Sequence, residues 1–477
     1  MAEWIKRNAG VVLAVAATLV FIALYAVQAV GSDNYLPLLL PAGLIVVWLM
    51  VTRLDEALLL MALLTPFAIN VALLDGMELS VPVEPMMILC TAIVLFRMLV
   101  AKSTDTRVMR HPVSLLTVAT IVWMLITSLT SEIPLASIKY TLARVWFVVP
   151  FFYATAHMFS RRDRIGHFYA AYAAGLAIVA MITTAKTLGN FSDLQTLHRV
   201  MRPFYNDHTA YGCVLALFIP VAVHYLFSRA TRGWLRLAAL ALLAILGTGL
   251  FLSYCRAAWI SVVGAMGVYL LIRTGMKMKW MLALFGLAVG LFFLHQGDVL
   301  YKLGKNTQDS SYTLADQVKS ISNISTDASN LERLNRWASA FRMWEEHPVM
   351  GTGPGTYQFL YGSYQRSYQK STISTNAGDL GNAHSEYIGP LTEQGVLGAL
   401  LTIALFLTTF ATGVRVYRTA KDPTVGRMAL AFTLALLTYY AHGVFNNFLD
   451  TDKLSVPFWA FTAAVVALDV YSEKKKM

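Results

Sequence analysis

Apolar runs of membrane-crossing length follow one another along this chain, joined by short polar connections, until one long polar stretch interrupts them and a last group of apolar runs closes the sequence. A bilayer offers no partner to a free amide or carbonyl, so these runs must be helices, each of roughly 20 residues. The pattern predicts spans near 9–30, 35–52, 57–73, 83–101, 112–130, 141–159, 166–187, 208–228, 235–253, 257–273 and 280–295, then 386–414, 427–448 and 455–471. The expected fold class is an all-α, polytopic membrane helix bundle of about 12–14 transmembrane helices with a large helical loop outside the membrane. It divides into transmembrane helices over 1–295, the loop domain over 296–385, and transmembrane helices over 386–477.

Composition agrees with the pattern. With 57% hydrophobic and 14% charged residues, and a mean hydropathy of +0.57, a soluble globular chain is excluded. The net charge of +11 is carried mostly on alternate connections: Lys6 and Arg7, Lys102 and Arg110, Arg161 and Arg162, Arg229 and Arg232, Arg273 and Lys277, Arg415 and Arg418, and Lys474 to Lys476. By the positive-inside rule these connections are cytoplasmic, so both termini face the cytoplasm and 296–385 faces outward. The charge is a topology signal and no nucleic acid is expected as a partner. The first run has no small-residue cleavage site and another span follows at once, so it reads as a retained helix. Cys90, Cys213 and Cys255 stand in apolar contexts at no metal-like spacing and read as packing residues.

Once the cytoplasmic cations are set aside, those on the outer side become informative. Arg256 lies in Ser253-Tyr254-Cys255-Arg256-Ala257-Ala258-Trp259, a turn too short to leave the membrane boundary. A cation there either meets a negative partner or snorkels to lipid phosphate. Together with Lys139, Arg144, Lys186, Arg199 and Arg202 it points to an extracytoplasmic site for an anion such as a pyrophosphate, which forked guanidinium groups bind well. Residues 330–346 place Leu331, Leu334, Trp337, Ala338, Phe341 and Trp344 on one face of a helix that also bears Arg333 and Arg336. His347-Pro348 and the turn Gly351-Thr352-Gly353-Pro354-Gly355 stop that helix. The turn lacks a preceding strand and a Lys, so it is a tight turn and no phosphate cradle. Residues 356–383 are rich in Tyr, Ser and Asn, which suits sugar hydroxyls and equally an ordinary loop. His384 then stands at the mouth of a new membrane helix, where an imidazole is either an interfacial cap or a group that accepts a proton from a hydroxyl. Asn206, His208, Tyr211, His442 and Asn446 lie at the same expected depth, as substrate contacts or as interfacial polar residues. Asp450-Thr451-Asp452, beside Lys453, reads as a solvated turn in preference to a metal site.

Four of these places together resemble the O-antigen ligase and polymerase superfamily of membrane glycosyltransferases. They are Arg256 in its Ser-x-x-Arg-x-x-Trp turn, Arg333 to Trp337, His347-Pro348 before the Gly-rich turn, and His384-Ser385 followed at fixed spacing by Gly395 and Gly398. The resemblance covers about 200 to 450. It implies transfer of a glycan from an undecaprenyl-pyrophosphate donor to an acceptor hydroxyl on the periplasmic face of the bacterial inner membrane, without a metal ion, cofactor or nucleotide sugar. Carried onto this chain, Arg256 and Arg333 would grip the pyrophosphate and His384 would ready the hydroxyl. Arg336, Arg202, Asn206, His208, Tyr211, His442 and Asn446 would be substrate-binding. Ligation to lipid A-core is the expected reaction. A polymerase, or a protein O-oligosaccharyltransferase, is the nearest alternative, and a transporter is the alternative from another class.

Overall fold

The computed structural model describes residues 9–32, 39–74, 77–101, 105–189, 199–277, 279–281, 283, 286–287, 328–370, 374 and 381–473. Contacts divide the chain into residues 1–60 and 61–477. The first unit holds α1 (Ala9–Ser32), α2 (Leu39–Thr52) and the start of α3 (Leu54–Leu64), whose apolar stretches include Val15–Val27 and Pro41–Thr52.

The second unit continues through a hairpin, β1 (Ile69–Leu74) and β2 (Met77–Val81), into α4 (Val83–Ala101), α5 (Pro112–Leu129) and α6 (Pro134–Val148), which runs on through a π turn to Met158. Then come α7 (Asp163–Leu188), α8 (His208–Phe227), α9 (Gly233–Leu252) and α10 (Arg256–Arg273). After α11 (Ala328–Glu346) the chain closes with α12 (Ile388–Thr419), α13 (Pro423–His442) and α14 (Asp452–Val470). Among the described residues ten helices are long and apolar enough to cross a membrane: α4 to α10 and α12 to α14. The chain is a multi-pass, all-α membrane bundle, and its one described sheet is the two-stranded hairpin.

The expectation of a span over 57–73 is corrected. Pro66 carries no amide hydrogen, so α3 ends at Leu64, a 3-10 turn covers Thr65–Phe67, and the apolar residues after it pair as strands, Ile69 opposite Val81 and Val71 opposite Leu79. Most of the expected span 280–295 lies outside the described residues. A second correction concerns Asp452, which is no part of a solvated turn. It is buried at the head of α14, where Ser80 Oγ donates to it at 2.8 Å. Lys453 folds inward as well, donating to Thr65 O at 2.8 Å, Ala68 O at 2.7 Å and Asp452 at 3.2 Å. Because a charge removed from water is tolerable only when paired and hydrogen-bonded, the carbonyls freed by the end of α3 are what admit this lysine.

Helix α14 is the axis of the second unit, with 94% of its span inside protein. Ser455, Ala460, Thr462, Ala463, Ala464 and Ala467 keep its surface small, so neighbouring helices approach closely. Around it α12 packs along α13 and α5, and α8 along α9 and α13. The heads of α8, α10, α12 and α14 and the tails of α5 and α13 gather at one end, which carries His384.

Candidate functional site

Two turns at that end have unusual backbones. Among the described residues only Tyr254 and His384 are non-glycine residues with positive φ, 52° and 49°. A left-handed conformation costs a side-chain-bearing residue about 1–3 kcal/mol and persists only where its surroundings enforce it. At His384 the enforcement comes from Asn382, whose Oδ1 accepts from the His384 amide at 3.1 Å, and from Glu386, whose amide donates to Gly443 O at 2.8 Å. At Tyr254 it comes from Ser253, whose hydroxyl donates to Leu250 O at 2.7 Å and accepts from the Cys255 amide at 3.2 Å, and from Trp259, whose indole donates to Leu250 O at 2.8 Å. The Ser and the Trp of the Ser-x-x-Arg-x-x-Trp pattern are thus the fasteners of a turn that sets Arg256 on the first residue of α10.

Arg333 and Arg336 lie one turn apart on α11 in contrasting surroundings. Arg336 is buried, its Nε donating to Glu332 at 2.7 Å and its guanidinium lying 4.1 Å from the centre of the Tyr361 ring. Gly381 passes so close that a Cβ there would meet the Arg336 guanidinium at 1.7 Å. Arg333 is half-exposed and donates to Phe445 O at 3.1 Å, while Trp337 stacks on the Phe445 ring at 6.4 Å. The arginine at the mouth is therefore held over the segment joining α13 to α14. The expected apolar face of α11 is only half-buried. The deepest face is polar, with Glu332, Asn335, Arg336 and Ser339 buried beside Ala340 and Met343. Residues of 356–383 cover it: Asn335 donates to Gln365 at 2.8 Å, and Ser374 to Glu332.

Beneath Arg333 sit His442 and Asn446, both buried, with Asn446 Nδ2 3.1 Å from His442 Nε2. Burial, reinforced by the positive charges of Arg333 and Arg336, brings the His384 imidazole down to about 4, against the opposing pull of Glu332 and Asp207. The same Arg333 bears on Cys255, together with Arg256 and Asp207, and burial pushes that thiol up to about 11. Cys255 Sγ also reaches Thr209 O at 3.9 Å, next to His208 at the head of α8. One electrostatic neighbourhood thus takes in His384, Arg333, Arg336, Arg256 and Asp207. Tyr211 lies one turn into α8, buried against Tyr205 and the bare Cα of Gly249. Arg202 and Asn206 are exposed and engage their own segment: Arg202 Nε donates to Asn206 O at 3.3 Å.

Sequence reasoning passed over three residues. Asp207 caps α8 through two backbone amides and the Thr209 hydroxyl, and its charge bears on His384 and Cys255. The run Asn206-Asp207-His208-Thr209 before an apolar helix was the available signal. Asn382 is legible only once the backbone of His384 is known. Glu386, an acid at the start of an apolar span, accepts from the amides of Phe448 at 2.9 Å and Leu449 at 3.0 Å and from the Tyr439 hydroxyl at 2.5 Å. It ties the His384 turn to the α13–α14 segment.

The Gly-rich turn and α12 are built for each other. Gly395, with φ 68° and ψ −170°, kinks α12 and releases backbone groups there. Thr352 N donates to Thr392 O at 3.1 Å, Gly353 N to Glu393 O at 2.8 Å and Val396 N to Pro348 O at 3.0 Å. A Cβ on Gly351 would stand 2.2 Å from Glu393 C, and one on Gly395 2.0 Å from Val349 O, so neither position admits a side chain. Thr352 O in turn accepts from Glu132 N at 3.1 Å and Ser131 Oγ at 3.2 Å in the α5–α6 turn.

Curated proteins offer no match to the chain. Residues 239–403 match the family model described as O-Antigen ligase, a stretch that contains Arg256, Arg333, the Gly-rich turn, His384 and Gly395. That match, over about a third of the chain, supports the likeness to the O-antigen ligase superfamily and a ligase- or polymerase-type glycosyltransferase.

Proposed function

We propose that the chain transfers a glycan from undecaprenyl pyrophosphate to an acceptor hydroxyl on the periplasmic side of the bacterial inner membrane, joining O-antigen to lipid A-core. The observation that carries the reading is the pairing of an uncharged imidazole with guanidinium groups at one end of the bundle. In the reaction the acceptor oxygen attacks the anomeric carbon of the glycan while the bond from that carbon to the phosphate oxygen breaks. The electron pair leaves with undecaprenyl pyrophosphate, and the hydroxyl proton passes to His384. A pyrophosphate is already a good leaving group, so cations aimed at its growing charge serve better than a strong acid. Arg333 and Arg256 supply that charge, with Arg336 adding to the field from its ion pair with Glu332. His384, low near 4, is the free base at neutral pH and can take the proton. His442 and Asn446 support the mouth beneath Arg333, and His208 and Tyr211 form the α8 wall.

The test is purified protein in nanodiscs given labelled donor and a lipid A-core acceptor. Glycan transfer with release of undecaprenyl pyrophosphate, lost in His384→Ala while the variant still inserts and folds, is the expected result. Normal transfer by that variant removes the catalytic assignment. Polysaccharide from a deletion strain identifies the acceptor class: unattached long chains fit ligation, single repeats fit polymerisation, and bare glycoproteins fit a protein acceptor.

A further inference from the structure

On the other flank of residues 382–386 a cavity of about 130 Å³ opens between α5, α6, α12 and α14. Its wall includes Arg144, Asp450, Glu386, Gln394, Asn447 and Trp459. Three buried polar atoms among these residues, Gln394 Oε1, Asn447 Oδ1 and the Trp459 indole nitrogen, have no hydrogen-bond partner. Leaving such an atom buried and unmatched costs about 1–3 kcal/mol, so three in one wall mark a place where a ligand completes the bonding. Two are amide oxygens that accept and one is an indole that donates, a mixed set that hydroxyl groups satisfy and a phosphate, which only accepts, does not.

Charge points the same way. Arg144 is the one cation of the wall, and it is already engaged, donating to Leu449 O at 2.7 Å and the Tyr140 hydroxyl at 3.2 Å. Against it stand the carboxyl groups of Glu386, Glu393 and Asp450. With its single guanidinium already hydrogen-bonded, the wall offers little to a doubly phosphorylated head, whereas an uncharged polyol needs no cation. Gln394 is the seventh residue of α12 and Trp459 the eighth of α14, so the wall reaches about 10 Å below the helix ends at 1.5 Å per residue. Met124, Leu405 and Phe406 line the cavity with apolar surface. Sugar-binding polar groups above an apolar lining are what a glycolipid presents to.

We propose that this cavity is the acceptor subsite, holding the neutral terminal sugar of a glycolipid so that its hydroxyl reaches His384 from the side opposite the guanidinium groups. This rests on the transferase reading above and assigns the second substrate its place. Asn382, Ala383 and Ser385, the chain neighbours of His384, contribute to the wall, and the charges of Arg333 and Arg336 bear on the His384 imidazole.

The test uses the full chain in lipid nanodiscs with two probes, tritiated n-octyl β-D-glucopyranoside as a neutral glycolipid analogue and inorganic pyrophosphate as the anion. Wild-type protein should bind the glucoside saturably, and Trp459→Phe and Gln394→Met should each weaken that binding about tenfold, the effect of one lost hydrogen bond. Both variants should bind pyrophosphate as wild type does, which also certifies their folding, and Arg333→Ala should show the reverse selectivity. Absence of saturable glucoside binding in wild type, or equal binding in both variants, overturns the subsite. So does pyrophosphate binding that falls with Trp459→Phe and spares Arg333→Ala. Pyrophosphate binding independent of Arg333 and Arg256 defeats the donor-site reading separately and leaves the glucoside result legible.

Discussion

Residues 382–386 divide two regions of opposite electrical character. On the α8, α10 and α11 side, Arg256, Arg333 and Arg336 are opposed by Asp207 and Glu332, and the arginine at the mouth is half-exposed. On the α5, α6 and α14 side, three carboxyl groups surround one engaged arginine, and neutral amide and indole groups lack partners. Under the proposed reading, the contrast would sort two substrates by charge, an anion to one flank and a polyol to the other. His384, between the two, sits in a left-handed turn pinned by Asn382.

The comparison can be broken in several ways. His384→Ala should cut transfer by about 10²–10⁴-fold, the range for a lost general base, in turnover of purified protein. A variant within fivefold of wild type would mean that the boundary residue does no chemistry. Next, Arg333→Ala and Arg256→Lys should each lower kcat/KM for the donor by about 10–100-fold and leave the acceptor KM unchanged, because a point charge does not reproduce a two-pronged contact. An acceptor effect of equal size would merge the two flanks into one. Glu386→Ala strands the amides of Phe448 and Leu449 and should lower stability by about 1–3 kcal/mol in thermal unfolding, with Glu386→Gln retaining most of it.

A subtler test uses pH. With the neutral imidazole as the proposed base, activity should fall as pH falls through its pKa. That pKa is held near 4 partly by Arg333 and Arg336, and a bound diphosphate offsets their charge. The acid limb of kcat, which reports the complex, should therefore lie at higher pH than the limb of kcat/KM, which reports the free enzyme. Coincident limbs would place the anion away from the arginines. Smallest of all, Asn382→Ala frees the His384 turn at a cost of about 1 kcal/mol and should slow transfer several-fold without moving either KM.

Much of this was legible in the sequence because lipid constrains it so tightly. Hydropathy marks α4, α5, α7 to α10 and the closing three helices, since a bilayer leaves an apolar run of that length no other structure. It reads past the hairpin for the same reason: 57–73 is apolar enough to span, and only Pro66 and the Asp75-Gly76 dipeptide argue against it. Periodicity finds α11 but ranks its faces wrongly, because Arg336 and Glu332 neutralise each other and are buried as a pair. The motif residues Arg256, Arg333 and His384 stand out individually as cations or imidazoles where few are expected. Glu386 does not, since its importance comes from long-range neighbours: it accepts from the amides of Phe448 and Leu449 some sixty positions away.

The kink at Gly395 has a mechanical consequence. By passing its freed backbone groups to residues 348–353, which also grip the α5–α6 turn, α12 is welded to the support of α11. The extramembrane helix is then a bracket rather than a flap, and the spacing between the cation it carries and the histidine ahead of α12 is fixed before either substrate arrives.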